Sequence, residues 1–219
     1  MSIVKSVTAI PSASLVLLRD SAEGLQVLVA RRNPRLRMAG NFWVFPGGAL
    51  EDIDRQQAAD IDADDELLPF RLNAVRETQE EVAIDIEPVS SLVYFSRWVA
   101  PDQMAMRFDT RFFATAMPAG QQPQVDGSEL VEHCWLSPAE LVEKADSGEM
   151  LVMFPTMMNA RRLMAFGSVD EVLADVAEQV VVPVKPELTF RDGKGVAHVP
   201  AEVGFGITEW EFTYPIKTV

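Results

Sequence analysis

The sequence predicts a single domain of mixed α and β structure, an α/β (α+β) sandwich rather than a repeating parallel sheet. Apolar strand-like segments come before and after a strongly helical segment, and this order of strands, helix, strands and helix is typical of such a sandwich. The 219 residues are 48% hydrophobic and 24% charged, which is ordinary for a globular protein. A chain of this length buries about 70% of its unfolded surface, so its core needs no disulfide.

Two apolar segments near the start of the chain predict a pair of strands. Ala13–Arg19 and Leu25–Arg31 are separated by a turn at Asp20–Gly24. A short aromatic strand, Phe42–Phe45, then runs into Pro46-Gly47-Gly48. Three further strands are predicted downstream, at Ser91–Val99, Arg107–Ala116 and His133–Leu136.

The segment Glu51–Glu66 is strongly acidic, with eight acidic residues and one basic residue. A run of like charges repels itself and is usually solvated. We therefore predict a loop between the aromatic strand and the first long helix.

Helices are predicted at three places: Phe70–Val82, Ser137–Ala145 with Ser137-Pro138 as its cap, and Ala160–Val181, which accommodates one or two helices. Val182–Pro200 predicts a hairpin that turns at Asp192-Gly193-Lys194-Gly195. This order suggests a domain of residues 1–165, with an acidic insertion at about 55–70. Residues 166–219 form a predicted C-terminal extension packed on the same domain.

On a helical wheel, Leu72–Val82 separates into two faces. The face expected to pack holds Leu72, Val75, Gln79 and Val82, and the other presents Glu77, Glu80 and Glu81. Carboxylates about 4 Å apart repel by roughly 4 kcal/mol at an effective dielectric constant of about 20. Such a cluster suits a hard divalent cation, Mg²⁺ or Mn²⁺. An acidic face turned to solvent is the alternative.

These residues, with the glycines before them, resemble the sequence signature of the Nudix hydrolase family. Gly48 is followed after five residues by Asp54, and Arg76-Glu77-Thr78-Gln79-Glu80-Glu81-Val82-Ala83-Ile84 matches the second half of the signature. The gap between the halves holds 21 residues, Arg55 to Val75, where the family has seven. Asp54 replaces the usual Glu, Thr78 stands at an apolar position, and Ala83 replaces a glycine that commonly ends the helix.

The resemblance implies a Nudix α/β/α sandwich with a mixed sheet, and water attack on a phosphorus atom of a nucleoside diphosphate derivative. It implies that Mg²⁺ or Mn²⁺ is held by Glu77, Glu80, Glu81 and the carbonyl of Gly48, with Arg76 orienting the glutamates. The general base stays open between Glu80, Glu81 and a later loop acid. In that loop Glu129 is our first choice and Glu132 our second.

Four arginines, Arg31, Arg32, Arg35 and Arg37, lie within seven residues that contain no acid. They could pair with substrate phosphates, or form a solvated turn that balances the acidic insertion. The run Arg32-x-Pro34-x-Leu36-Arg37-x-x-Gly40 and the segment Arg107–Phe113 resemble the branch that contains coenzyme A diphosphatases. This favours coenzyme A or an acyl derivative over nucleotide sugars and dinucleotides. The rival functions are a Nudix-fold module that binds a nucleotide without turnover, and an acidic scaffold.

The formal net charge of −14, from 33 acidic and 19 basic residues, argues against nucleic acid and anionic membranes as partners. A local metal site can still accept a small diphosphate substrate. The sequence has no run of 18 apolar residues and no secretory signal pattern, so we expect no membrane span and a cytoplasmic protein. The C-terminal extension could form a homodimer.

Overall fold

A computed structural model describes residues 7–62, 64–192, 194–200 and 207–212. Its main feature is a mixed eight-stranded sheet with helices on both faces, which confirms the predicted sandwich. The strands are β1 (Ile10–Ser21), β2 (Gly24–Arg32), β3 (Trp43–Val44), β4 (Gly47–Ala49), β5 (Val93–Val99), β6 (Phe108–Ala116), β7 (Leu130–Leu136), β8 (Pro183–Val184), β9 (Glu187–Arg191), β10 (Lys194–His198) and β11 (Glu209–Phe212). The helices are α1 (Asp52–Ile61), α2 (Leu68–Val82), α3 (Pro138–Asp146), α4 (Phe154–Leu163) and α5 (Val169–Ala177).

Strand β1 is the centre of the sheet, whose order is β3-β2-β1-β6-β5-β8. It runs parallel to β6 and antiparallel to both β2 and β4, while β7 pairs with β2. Its side chains alternate between two apolar clusters, because successive residues of a strand point to opposite faces. Leu15 and Leu17 face helix α2, and Val16 and Leu18 face helices α3 to α5. A strand buried on both faces explains the unbroken apolar run in the sequence.

The acidic segment is not the loop that its charge predicted, because Asp52–Ile61 form helix α1. Two residues one turn apart, Asp54 and Ala58, are only 1% and 2% exposed, so the helix has an inward face. Acidic residues in its first turn, Asp52 and Asp54, also complement the positive end of the helix dipole. The loop was predicted from the charge along the chain alone, which does not show that Asp54 points inward.

The expected division of helix α2 into faces is wrong at two positions. Gln79 is exposed, and Glu81 lies on the packed side with 5% exposure. The residues that pack against the sheet include Phe70, Ala74 and Val82. Thr78, at an apolar position of the signature, is fully buried and donates its hydroxyl to the carbonyl of Ala74 at 2.7 Å. This bond satisfies the hydroxyl within the helix.

The C-terminal part differs from its prediction at its borders. The segment Ala160–Val181 contains the end of α4 and the whole of α5, and α4 begins earlier, at Phe154. Strand β8 joins the main sheet beside β5, and β9, β10 and β11 form a separate small sheet. The predicted turn residue Gly193 and the last stretch after Phe212 lie outside the described residues. Within the described part of the chain, no helix is long and apolar enough to cross a membrane.

Candidate active site

The site lies where strand β4 closely approaches the central strand β1. Gly47 pairs with Ser14, and Gly48 pairs with Ala13. A Cβ atom on Gly47 would lie 2.3 Å from the carbonyl oxygen of Ala13, and one on Gly48 would lie 2.5 Å from the carboxylate of Glu77. Gly47 therefore requires glycine, because its Cβ would meet the backbone of β1, and at Gly48 a Cβ would displace the carboxylate of Glu77 on helix α2.

Glu81 lies at the bottom of this site, almost completely buried. Its Oε2 accepts a hydrogen bond from the amide of Gly47 at 2.8 Å. Burial raises the pKa of Glu81 to about 8; the Gly47 hydrogen bond opposes this rise, and the charge of Glu77 adds to it. The positive charge of Arg32 is near enough to lower the pKa of the same carboxyl. A carboxylate held in this way binds a proton, or another cation, readily.

Glu77 faces the same place from one turn earlier in helix α2. Burial raises its pKa, and the charge of Arg76 and a hydrogen bond from it act in the opposite direction. The Nη2 atom of Arg76 is 2.9 Å from Oε1 of Glu77. The charges of Glu80 and Glu129 raise the pKa of Glu77 further, so several like charges act on one carboxyl.

Arg76 binds three carboxylates at once. Its Nε and Nη2 atoms donate to the two oxygens of Asp54, at 3.0 and 3.1 Å, in a bidentate pair. Its Nη1 atom donates to Glu80, 3.1 Å away, whose side chain is 55% exposed and extends towards solvent. The hydrogen bond to Asp54 is the main cause that raises the pKa of Arg76. Arg76 thus ties the inserted helix α1 to the glutamates of α2.

Asn73 lies in the middle of this arrangement and is fully buried. Its Nδ2 atom donates to the carbonyl of Ala49 at 2.9 Å and to Oδ2 of Asp54 at 3.2 Å. Its Oδ1 atom accepts from the amide of Ala13 at 3.0 Å. Sequence reasoning missed this residue, although an asparagine inside a helix is a signal, because its amide favours caps and turns when it has no partner.

Glu129 enters the site from the loop before strand β7. The carboxylate of Asp126 organises this loop by accepting from the amides of Ser128 and Glu129 at 2.9 and 2.8 Å. The loop is also tied to helix α2, since the amide of Asp126 donates to the carbonyl of Glu81 at 3.0 Å. On the other side, the carbonyl of Glu129 accepts from the amide of Asn33. Sequence reasoning missed Asp126, which the Asp-Gly-Ser turn pattern could have indicated.

The four arginines of the basic segment have different surroundings. Arg31 is engaged, because its Nη2 atom is 2.8 Å from Glu132 and its Nη1 atom donates to Asn41. Among the described residues, Arg32 has no ion pair, and its buried Nε has no hydrogen-bond partner. The remaining two, Arg35 and Arg37, are exposed.

The structure therefore brings together the predicted residues Gly48, Glu77 and Glu81, and Glu129 and Arg32 are near enough for their charges to act on these carboxylates. Glu80 is joined to this group only through Arg76 and is half exposed, whereas Arg31 and Glu132 bind each other. In the part of the chain that the structure describes, no three acidic, histidine or cysteine side chains are already arranged around a common metal position. The site is an open group of carboxylates and backbone groups rather than a closed metal cage.

Comparison with protein families identifies this region. The family model described as NUDIX domain matches residues 9–156, more than half of the chain. A Caenorhabditis elegans protein named nudix hydrolase 7 is 25% identical to the chain. That match covers 69% of this chain and 59% of the relative, so the chain spans about three fifths of the relative's length.

Solved structures show the same fold. A NUDIX hydrolase from Alicyclobacillus acidocaldarius is similar with a TM-score of 0.69 and 24% identity, covering 80% of this chain and 99% of that chain. The NUDIX domain of Shewanella oneidensis NrtR, solved with ADP ribose, has a TM-score of 0.51 and 17% identity, covering 75% and 94%. At these identities the likeness concerns the fold alone.

Proposed function

We propose that this chain, which belongs to the Nudix domain family, hydrolyses the diphosphate linkage of a nucleoside diphosphate derivative with the help of a divalent metal ion. One observation carries the proposal: the half-buried carboxylate of Glu77 and the buried carboxylate of Glu81 meet the Gly47-Gly48 backbone at one place, within the influence of the charges of Glu129 and Arg32. Hydrolases of this family generally act on such derivatives and use divalent ions.

The donor set fits a divalent ion. Burial is the main cause that raises the pKa of both Glu77 and Glu81, and the charges of neighbouring glutamates raise both further, so a cation placed between these carboxylates would be favourable. The backbone of Gly48 lies against the Glu77 carboxylate, in the space that a Cβ atom would otherwise fill. Mg²⁺ usually keeps several waters and needs only one or two carboxylates plus the substrate phosphates, so an open site suits it. Glu77, Glu81 and Gly48 would hold the ion, and Glu80 would join after leaving Arg76.

Each group of the chain has a separate task in this reaction. A bound divalent ion supplies charge neutralisation for the diphosphate and a more acidic water. Glu129 lies on a loop fixed at both ends, and we assign to it the role of accepting a proton from the attacking water. Arg76 keeps Glu77 in place and does not contact the substrate. Arg32 can contact a phosphate, because it has no ion pair of its own among the described residues.

Coenzyme A or an acyl derivative is the substrate we favour. The motifs around Arg32 and Arg37 support it, and the exposed Arg35 and Arg37 extend the positive charge beyond the diphosphate position. Such a surface suits a substrate with a further phosphate on its nucleoside, as coenzyme A has. Nucleotide sugars and dinucleotides lack this additional phosphate on the nucleoside. They would therefore use fewer of these arginines.

The function is tested with a panel of diphosphate compounds in ¹⁸O-labelled water, with Mg²⁺ or Mn²⁺ and product mass as the readout. We expect coenzyme A to be cleaved into adenosine 3′,5′-bisphosphate and phosphopantetheine, with one labelled oxygen in one product. The variant Glu81→Gln should lose turnover, and Glu143→Gln, an exposed glutamate on helix α3, should keep it. Binding of the panel compounds without any cleavage would instead favour a nucleotide-binding module.

A further inference from the structure

We infer that Asn73 is a positioning residue that sets the geometry of the metal-binding carboxylates through two routes, one along side chains and one along the backbone. The inference rests on the proposed function, because it concerns how this site is held ready for the ion. Asn73 makes no hydrogen bond to Glu77, Glu81 or Gly48 among the described residues, and its side chain on helix α2 is fully buried. It differs in this respect from Glu77 and Glu81, which lie at the site itself.

The side-chain route runs through Asp54. Oδ2 of Asp54 accepts three donors, from the amide of Glu51, from Asn73 and from Arg76. Aspartate is one methylene shorter than glutamate, so at this place its carboxylate depends on helix α1 and on Asn73 to reach Arg76. Arg76 in turn holds Glu77 at 2.9 Å. A displacement of Asp54 is therefore passed to Glu77 by the guanidinium, whose planar fork fixes the relative orientation of its partners.

The backbone route runs through strand β4. The carbonyl of Ala49 accepts the second amide hydrogen of Asn73, and the amide of Ala13 donates to its oxygen. Ala49 follows Gly48, and Ala13 pairs with Gly48 across the ladder. Asn73 therefore fixes both neighbours of the glycine that lies against Glu77. Through the two routes together, the side-chain amide of Asn73 positions both Gly48 and the carboxylate of Glu77 that lies against it.

A packing role alone would not require this residue type. Both amide hydrogens and the oxygen of Asn73 are used, and their partners belong to β1, β4 and α1. Thr78, equally buried in the same helix, bonds only to its own helix at Ala74. Thr78 therefore provides a matched control, since its replacement removes a buried hydrogen bond without touching Asp54 or β4.

The test compares Asn73→Ala with Thr78→Val in the full chain. Mn²⁺ binding is titrated calorimetrically without substrate, and steady-state kinetics with a cleaved diphosphate compound give kcat and KM separately. We expect Asn73→Ala to weaken Mn²⁺ binding roughly 10- to 100-fold, as the loss of a supporting residue around a metal does elsewhere. It should lower kcat with little change in KM, and Thr78→Val should change neither constant.

A double-mutant cycle tests the side-chain route. If Asn73 acts through Asp54, the double variant Asp54→Asn, Asn73→Ala should bind Mn²⁺ more tightly than the sum of the single losses predicts. Additive losses would overturn this route, and unchanged Mn²⁺ binding in Asn73→Ala would overturn the whole inference. If Asn73→Ala does not fold, Asn73→Ser, which keeps a small polar group, serves for the same comparison. A wild-type protein that neither binds Mn²⁺ nor cleaves any panel compound would instead refute the proposed function.

Discussion

Replacing Ala83 with glycine should stabilise the protein. Ala83 ends helix α2 with φ 56° and ψ 38°, in the left-handed region, and helices that end in this conformation usually have glycine at that position. Its amide still donates to the carbonyl of Gln79 at 3.0 Å, and its side chain is exposed. The substitution therefore removes a strained Cβ without removing a hydrogen bond or a buried contact.

The size of the effect follows from two opposing contributions. An alanine in the left-handed region costs about 1–2 kcal/mol, a cost that glycine does not have. Glycine also makes the unfolded chain more flexible, which offsets about 0.4–1 kcal/mol of the gain. The free energy of unfolding should thus rise by about 1 kcal/mol, or roughly 2–4 °C in Tm for a protein of this size.

Urea and thermal unfolding of the two variants Ala83→Gly and Ala59→Gly would measure this. Ala59 is an exposed residue within helix α1, where glycine should lower stability by about 0.5–1 kcal/mol. Opposite signs for the two variants would support the strain at Ala83. Equal losses of stability would refute the reasoning, because they would mean that the left-handed backbone carries no cost for alanine.

Three further predictions concern pH, the arginines and the C-terminal sheet. Because burial raises the pKa of Glu81 to about 8 from 4.5, the native state holds a proton that the unfolded state releases. The Tm of the metal-free protein should therefore fall as the pH rises between these values, and less in Glu81→Gln. Arg32→Ala should raise KM for a diphosphate substrate by about 10- to 100-fold, because a charged hydrogen bond to a phosphate is lost. Arg31→Ala should raise KM less, because Arg31 is already paired with Glu132. Trp210 stacks on Phe154 at 5.1 Å between ring centroids. Trp210→Ala should therefore cost at least the roughly 0.5–1.5 kcal/mol of the ring pair in urea unfolding, because buried apolar area is lost as well, and it should speed proteolysis after helix α5 with turnover kept.

The strands could be predicted well because their apolar runs reflect a physical requirement. A central strand such as β1 is buried on both faces, and only apolar residues satisfy that position along its whole length. The helix with Glu77 and Glu81 could be predicted because its residues resemble a family signature. Helix α1 could not, since charge along the chain does not reveal which of eight acids turns inward.

The site was harder to predict than the fold, because its key relations are between elements distant in sequence. The pairing of Asp54 with Arg76 crosses the 21 residues that split the signature. Asn73 acts through β1, β4 and α1, and none of these contacts has a sequence pattern. The burial of Glu81 depends on the approach of Gly47, which a helical wheel does not contain.

The charges around the site explain why a cation and a proton should compete there. Arg76 is occupied by Asp54, Glu77 and Glu80, so among the described residues the Gly47 amide and the charge of Arg32 are what stabilise the ionised form of Glu81. Burial raises its pKa to about 8, and a metal ion needs the ionised form. Mn²⁺ binding at pH 7 should therefore release protons, measurable as a dependence of the calorimetric enthalpy on the buffer. Glu81→Gln should bind the ion more weakly and release fewer protons; an unchanged proton release in that variant would show that another group supplies them.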